Sequence, residues 1–393
     1  MRILTRYVVF DLLKVFFLIL SGLTLTIFIG LVGKEAVDKG LGLWPLLRMT
    51  PYLIPQAMQF AVPGTMLLAT TYVYGRMSSY NELVAIKSLG ISPMTLVWPA
   101  LVVATLVSFA GVYVNNLAVS WGTQGVQRIF IESLEDVVYG HLQVHRNYSS
   151  GRLSIVVRGV DGRILRQPTL VVDASGNRPA LTIRAKEAEI WSDSVERKLY
   201  VRFHDYEVSG PFTVTDPGTY EQVVSLDELT GMSPETRSPS TYALGEIGGA
   251  VASGKERLEQ IEQSMTAQAG FALLTGRFGA LSTPSWKVHQ HELSTARQRL
   301  QRLHLEPWRR WANGFSCLGF VLIGVPVAIW LRFSEFLGTF FICFLPILLV
   351  YYPLLIVSVS QAKNGTFPPP TVWLGNILLG IAGIVLLQRV NKH

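Results

Sequence analysis

Six apolar stretches, in two groups of three, flank a polar segment of roughly 190 residues. That arrangement excludes most folds. About 20 helical residues cross a hydrocarbon core of about 30 Å, and lipid satisfies no stray backbone group, so each stretch must be helical. The stretches read at about 8–32, 52–75, 94–115, 311–331, 336–359 and 371–388. The predicted fold is an α-helical membrane protein with six transmembrane helices, three plus three, around a central all-β module. A membrane chain with one large soluble module mid-sequence presents it to something on one side. It reads as a handover or transport device, not a soluble enzyme.

Composition agrees. The chain is 49% hydrophobic and 16% charged, with a mean hydropathy of +0.35, because spans exclude ionised groups. The first stretch reads as a retained span: its apolar run from Val15 to Val32 is long for a cleaved leader, and no small-residue cleavage site follows. Asp11 and Lys14, one turn apart near its start, are expected to pair with each other and snorkel to the interface. The net charge of +7 fits Lys and Arg that anchor helices at headgroups, so nucleic acid is not implied. Cys317 and Cys343 both fall in spans, which leaves the soluble module without a disulfide framework or zinc site.

Six spans put both termini on one side. Arg2, Arg6, Arg76, Lys87, Arg332, Arg389 and Lys392 outnumber Lys34, Lys39, Arg48 and Lys363, which predicts that this side is cytoplasmic. Arg297, Arg299, Arg302, Arg309 and Arg310 precede span four on the opposite side, where a long translocated segment largely escapes the rule.

From about 125 to 235 the apolar pattern has period two. "LSIVVRGVDGRIL" places two β-rich runs around Asp161-Gly162, a hairpin signal, and further runs follow at about 10-residue intervals. A sandwich or jelly roll is expected, and an open edge would accept another strand. From about 240 to 306 the pattern turns helical. Leu258, Ile261, Met265 and Ala269 share one face, Leu293, Ala296, Leu300 and Leu303 another, and "GRFGALSTPS" between them reads as the turn of a helical hairpin. The predicted domains are 1–120 (spans one to three), 121–235 (β module), 236–306 (helical hairpin insertion) and 307–393 (spans four to six).

Two apparent motifs carry no chemistry. "GAVASGK" at Gly249–Lys255 has phosphate-loop spacing, but Glu256 stands where a magnesium-binding hydroxyl is needed and no strand precedes it. His289, His291 and Glu292, and separately His141 and His145, lack metal-site spacing and read as solvated surface. No catalytic residue, metal site or cofactor is predicted.

The most telling short segment is "GRMSSYNELVAIKSLGISPMTLVWPAL", between spans two and three. Ser79-x-x-Glu82 reads as a capping box that opens a short helix at about 78–90, and Gly90 ends it at a C′ position. Leu83, Ile86 and Lys87 lie along one side. A short capped helix with apolar groups showing suits docking into a groove of a cytoplasmic partner.

This segment resembles its equivalent in the LptF/LptG (YjgP/YjgQ) permeases of the lipopolysaccharide-export ABC transporter. The resemblance covers nearly the whole chain: the three-plus-three spans, the β module with "LTIRAKEAEIWSDSVERKLYVRFHDYEV", "GFVLIGVPVAIWLR" in span four and "FPPPTVWLGN" opening span six. The connection from about 232 to 300 is longer than the family usually has. The resemblance implies a permease subunit of the bacterial inner membrane, without an ATPase site of its own, whose central domain is periplasmic and jelly-roll-like. It implies a coupling helix seated in a dimeric cytoplasmic ABC ATPase, with Arg76, Ser79, Glu82, Leu83, Ile86 and Gly90 as coupling residues. Lys34, Lys39 and Arg48 would meet the lipid's phosphates. Phe340, Phe341 and Phe344, in the run "FLGTFFICFLPILLVYYPLLIV", would face acyl chains, with span one of one subunit and span five of the other forming a lateral gate. The implied partners are a paralogous permease or second copy, a periplasmic jelly-roll bridge protein, and lipopolysaccharide or a related glycolipid. The competing class is a non-transporting scaffold whose β domain recruits envelope proteins, for which six spans and a capped helix are more than tethering needs. A secondary transporter would need an inverted repeat and intramembrane charges that the chain does not display.

Overall fold

A computed structural model describes residues 2–39, 43–150, 153–172, 181–193, 198–209, 214–225, 237–279, 283–331 and 336–392. The chain divides into two compact units, one of residues 1–29, 54–122 and 242–393, the other of residues 30–53 and 123–241.

The first unit is helical. α1 (Arg2–Lys39) and α2 (Leu43–Ser79), of which residues 30–53 belong to the second unit, are followed by the short α3 (Glu82–Ser88) and by α4 (Met94–Leu117). After the β region come α7 (Leu244–Leu274), the 47-residue α8 (Pro284–Trp330), α9 (Phe336–Pro346), α10 (Tyr352–Lys363) and α11 (Leu374–Lys392). A π-helical stretch, Ile347–Tyr351, joins α9 to α10.

Five helical stretches among the described residues are long and apolar enough to cross a membrane: Ile3–Val37, Met94–Glu132, Trp286–Trp330, Gly338–Lys363 and Pro369–Val390. α2, the expected second span, is 37 residues long but is not among them. Gln56, Gln59 and four prolines dilute its apolar run.

Packing explains which helices hold together. Val8, Leu12, Phe16 and Leu20 form a buried stripe on α1, at the four-residue spacing of one helix face. The stripe meets Met66, Val73 and Met77 of α2, Leu96 and Val103 of α4, and Val321 and Val325 of α8 in one core. Glycines allow the closest crossings. A Cβ on Gly314 of α8 would lie 2.9 Å from the backbone nitrogen of Val112 and 3.0 Å from the Ser108 carbonyl oxygen of α4. One on Gly383 of α11 would lie 2.7 Å from the Leu322 carbonyl oxygen of α8. Lipid does not drive helices together by hydrophobicity, so such backbone approach is what association rests on.

The outer part of α8 pairs with α7 as the predicted helical hairpin. Arg297 pairs with Glu262 at 2.7 Å, and Met265 and Leu303 are buried. Part of the predicted turn, 280–282, lies outside the described residues; Thr283 caps α8 by accepting from the Trp286 N–H, and Pro284 takes the first turn. The Gly249–Lys255 segment falls inside α7.

In the second unit, α5 (Gln124–Glu132) and α6 (Leu134–His145) precede an antiparallel sheet. Its strands are β1 (Asn147–Ser150), β2 (Leu153–Val156), β3 (Gly159–Asp161), β4 (Ile164–Arg166), β5 (Thr169–Val172), β6 (Leu181–Asp193), β7 (Lys198–Ser209) and β8 (Val214–Ser225). β2 with β3, and β4 with β5, act as two interrupted long strands in one register: Leu153 faces Val172, and Asp161 faces Ile164 across the predicted turn, where Gly162 has φ 64°. β6 pairs both β4 and β5 on one side and β7 on the other, and β8 completes the order. The described strands therefore form a meander between sequence neighbours, where a jelly roll needs Greek-key crossovers.

One sheet face, with Ile155, Leu165, Ile183, Ile190, Val201 and Phe203, packs on Val138, Tyr139 and Leu142 of α6. The Tyr139 hydroxyl accepts from the Ile190 N–H at 2.9 Å and donates to the Arg163 carbonyl at 2.6 Å. Burial pushes its pKa up, and the bond from Ile190 offsets part of that rise.

Candidate functional site

The predicted coupling residues gather at one end of the helical unit, where α2 ends, α3 crosses and α4 begins. How the backbone turns there differs from the sequence expectation. α2 does not stop before Ser79; it runs through it, and the Ser79 hydroxyl donates back to the Gly75 carbonyl at 2.8 Å. The N-cap of α3 is Asn81 in the left-handed region at φ 59°, with no side-chain cap bond. The Ser79–Glu82 capping box is thus absent, because a hydroxyl already committed inside α2 cannot cap the next helix. Asparagine is one of the few residues that visits that backbone region readily.

The end of α3 is as expected. Gly90 takes φ 75°, its N–H donates to the Lys87 carbonyl at 2.9 Å, and the Ile91 N–H reaches the Ile86 carbonyl at 3.4 Å. That is a Schellman closure, and it turns the chain sharply into α4.

α3 is two-sided. Leu83 is buried and Ile86 packs against the shared helical core, so these two fasten α3 to its own unit. The outward face carries Val84 and Leu89, with Tyr80 just before the helix; Leu89 and Tyr80 are 76% and 73% exposed. Glu82 is half-buried at the first turn, where a carboxylate complements the helix dipole. Sequence reasoning placed the docking surface on Leu83 and Ile86. The available apolar surface lies instead on Tyr80, Val84 and Leu89, which the helical spacing of a seven-residue segment could not orient.

Polar ties fix this end to its neighbours. The Tyr74 hydroxyl donates to the Leu96 carbonyl of α4 at 2.5 Å, and the Ser78 hydroxyl donates to the Ile329 carbonyl of α8 at 3.2 Å. The Arg76 guanidinium pairs with Asp11 of α1 at 2.8 Å and reaches the Tyr7 hydroxyl at 3.4 Å. The expected Asp11–Lys14 pair is therefore replaced. A partner 65 residues away in sequence wins because it reaches the inward margin of α1, whereas Lys14 is exposed.

The predicted substrate residues divide between the two units. In the first, Phe340 and Phe344 stack at 5.2 Å and pack against a core with Phe320, Ile323 and Ile347, while Phe341 is half-exposed. In the second, Lys34 is exposed on α1 and Arg48 lies 3.9 Å from Glu132, both of that pair exposed. The side chain of Lys39 lies outside the described residues.

One node escaped the sequence reading. Arg310, expected among outer charges, is 1% exposed; it donates to the Tyr242 carbonyl at 2.6 Å and to Asn116 of α4 at 3.3 Å. Asn116 also accepts from the Leu244 N–H at 2.9 Å. Arg309 pairs with the buried Glu306 at 2.8 Å, and Arg310 lies 3.8 Å from the same carboxylate. The node fastens the root of the α7–α8 hairpin to α4. Sequence shows only a basic cluster there.

Residues 6–389 match the family described as lipopolysaccharide export system permease LptF/LptG. The chain belongs to that family. Among curated proteins none matches it. An LptF/LptG chain is a permease subunit of a lipopolysaccharide-export system and not itself an enzyme, and the five apolar helical stretches fit an integral protein of the inner membrane.

Proposed function

We propose that this chain extracts lipopolysaccharide, or a related glycolipid, from the inner membrane by means of a separate dimeric cytoplasmic ABC ATPase seated on α3. In this reading α2 is the sixth span, both termini are cytoplasmic, and the domains fall as the sequence suggests. The observation that carries it is the two-sided α3: anchored inward by Leu83 and Ile86, closed by Gly90, and apolar outward at Tyr80, Val84 and Leu89. An anchored helix with such an outer face fits a partner's groove and passes that partner's movement to α2 and α4.

The chain pairs with a paralogous permease or a second copy. α1 and the α9–α10 segment are suited to line the lateral gate, since only 11% and 17% of their apolar windows are buried within this chain. Lys34, Lys39 and Arg48 meet phosphates, because a cation at the headgroup boundary pairs strongly with phosphoryl oxygens. Phe340, Phe341 and Phe344 meet acyl chains. The periplasmic β module passes the lipid to a jelly-roll bridge protein by edge-strand addition.

Glu82 tests the reading. In the assembled transporter, Glu82→Ala is expected to lower lipid exported per ATP hydrolysed about tenfold while insertion and hydrolysis persist. Wild-type export by both Glu82→Ala and Glu82→Gln would remove the coupling role.

A further inference from the structure

We infer that the Asp11–Arg76 ion pair is a positioning tie that makes α1 follow the coupling end of α2; this rests on the coupling role proposed for α3. Three observations converge on it. First, α1 is the least enclosed of the apolar helices, with 11% of its window buried against 67% for that of α8. Its fully buried contact with its own unit is the stripe of Val8, Leu12, Phe16 and Leu20, flanked by Leu4, Val9, Leu13 and Leu23, which are only partly buried. Such a helix can shift along or roll on its neighbours at little packing cost.

Second, the ion pair sits beside that stripe, between Val8 and Leu12. Asp11 precedes Leu12 directly, and its carboxylate is only 17% exposed when paired with Arg76 at 2.8 Å. A half-buried pair acts as a stiff linkage, because separating the charges leaves each without a partner where water is scarce. The Tyr7 hydroxyl, one turn earlier on α1, lies 3.4 Å from the same guanidinium, so α1 is held at two points by one side chain.

Third, Arg76 lies within one turn of the α2 terminus, and five residues separate it from Glu82. The neighbouring Tyr74 and Ser78 bond to α4 and α8. α2 thus ends in a junction where single side chains reach three other helices. Movement imposed on α3 reaches α4 and α8 through well-packed contacts; it reaches α1 through a narrow stripe and this pair. The tie is what couples the loosely enclosed helix to the junction.

The test uses the complete transporter purified with its ATPase and reconstituted in vesicles that contain lipopolysaccharide. Spin labels at the exposed Leu18 of α1 and at the exposed Trp98 of α4, which starts at the junction and is not part of the docking face of α3, report whether their separation changes with nucleotide, and lipid extracted per ATP hydrolysed is measured in parallel. Asp11→Asn and Arg76→Ala are expected to keep ATP hydrolysis while the extraction ratio falls about three- to thirtyfold, and the label distance stops following nucleotide. The swap of both residues, Asp11→Arg with Arg76→Asp, is expected to restore both readouts; a role in stability alone would not move the ratio and the distance together. The inference is overturned if the single variants keep the wild-type ratio, or if the swap restores neither readout while Glu82→Ala still uncouples. If Glu82→Ala leaves the ratio unchanged but the Asp11 and Arg76 variants lower it, the coupling role of α3 fails and the tie stands.

Discussion

α8 and α1 are both long helices with an apolar window, and they are held in opposite ways. α8 is met on several sides: glycines bring it against α4 and α11, its carbonyls accept from Ser78 and Asn376, and Arg310 secures its outer half. α1 touches its neighbours along one stripe and presents Phe10, Phe17, Leu18 and Leu25 outward. The difference separates a frame from a wall with one open face. Apolar exposure costs nothing in lipid, so the open face of α1 is not a defect of packing; it is surface available to lipid or to another subunit.

Substitutions can break this comparison. The largest effect is expected at Arg310, in the frame. Arg310→Ala removes the buried donor of the Tyr242 carbonyl and the bond to Asn116 and leaves Glu306 with Arg309 alone, which should destabilise the protein by about 3–5 kcal/mol. Thermal unfolding in detergent measures it. A cost near zero would show that the hairpin root does not depend on the node.

A matched pair of glycines sharpens the contrast. Gly314→Ala puts a methyl group against the backbone of α4 and should cost about 3 kcal/mol, the upper end of ordinary overpacking. On α1, nothing lies within 4 Å of a Cβ at Gly22, so Gly22→Ala should be neutral or stabilise by about 0.5–1 kcal/mol through helix propensity. Equal effects at the two sites, read by the same unfolding assay, would dissolve the distinction between frame and wall.

The β unit supplies a control outside the helical frame. Tyr139→Phe removes the partner of the Ile190 N–H and should cost about 1–2 kcal/mol. Because burial raises the tyrosine pKa in the folded state, the neutral hydroxyl's contribution is fully present below about pH 10 and is lost as pH rises from there through the higher folded value. Melts at rising alkaline pH should show the wild type losing its advantage over Tyr139→Phe.

The sequence made local features legible and long-range pairings illegible. Apolar run length located five of the six expected spans, and Asp161-Gly162 marked its hairpin to within one residue, the two turn residues being Gly162 and Arg163, because a two-residue turn is written in adjacent residues. Period-two patterning revealed a sheet, yet not its meander order, since alternation says which side faces inward and nothing about which strand is next. Where α2, α3 and α4 meet, Gly90 was readable because left-handed backbone favours glycine. Ser79 misled because its motif is equally compatible with the interior of a continuing helix. Asp11 illustrates the limit most plainly: a charged neighbour one turn away is visible in any window, whereas Arg76 becomes a neighbour only after two helices have packed. Arg310 is the same case, hidden in a basic cluster whose other members are exposed or half-buried.

The unbroken course of α8 has a mechanical consequence. At 1.5 Å per residue its 47 residues make a lever about 70 Å long, with a fulcrum near Arg310 roughly midway. A rotation of about 10° about that point sweeps each tip sideways by roughly 6 Å, in opposite senses. Pro307 stands one turn before that point, so the helix bends most readily there, and a tilt of the frame as a whole is what carries the outer arm with it.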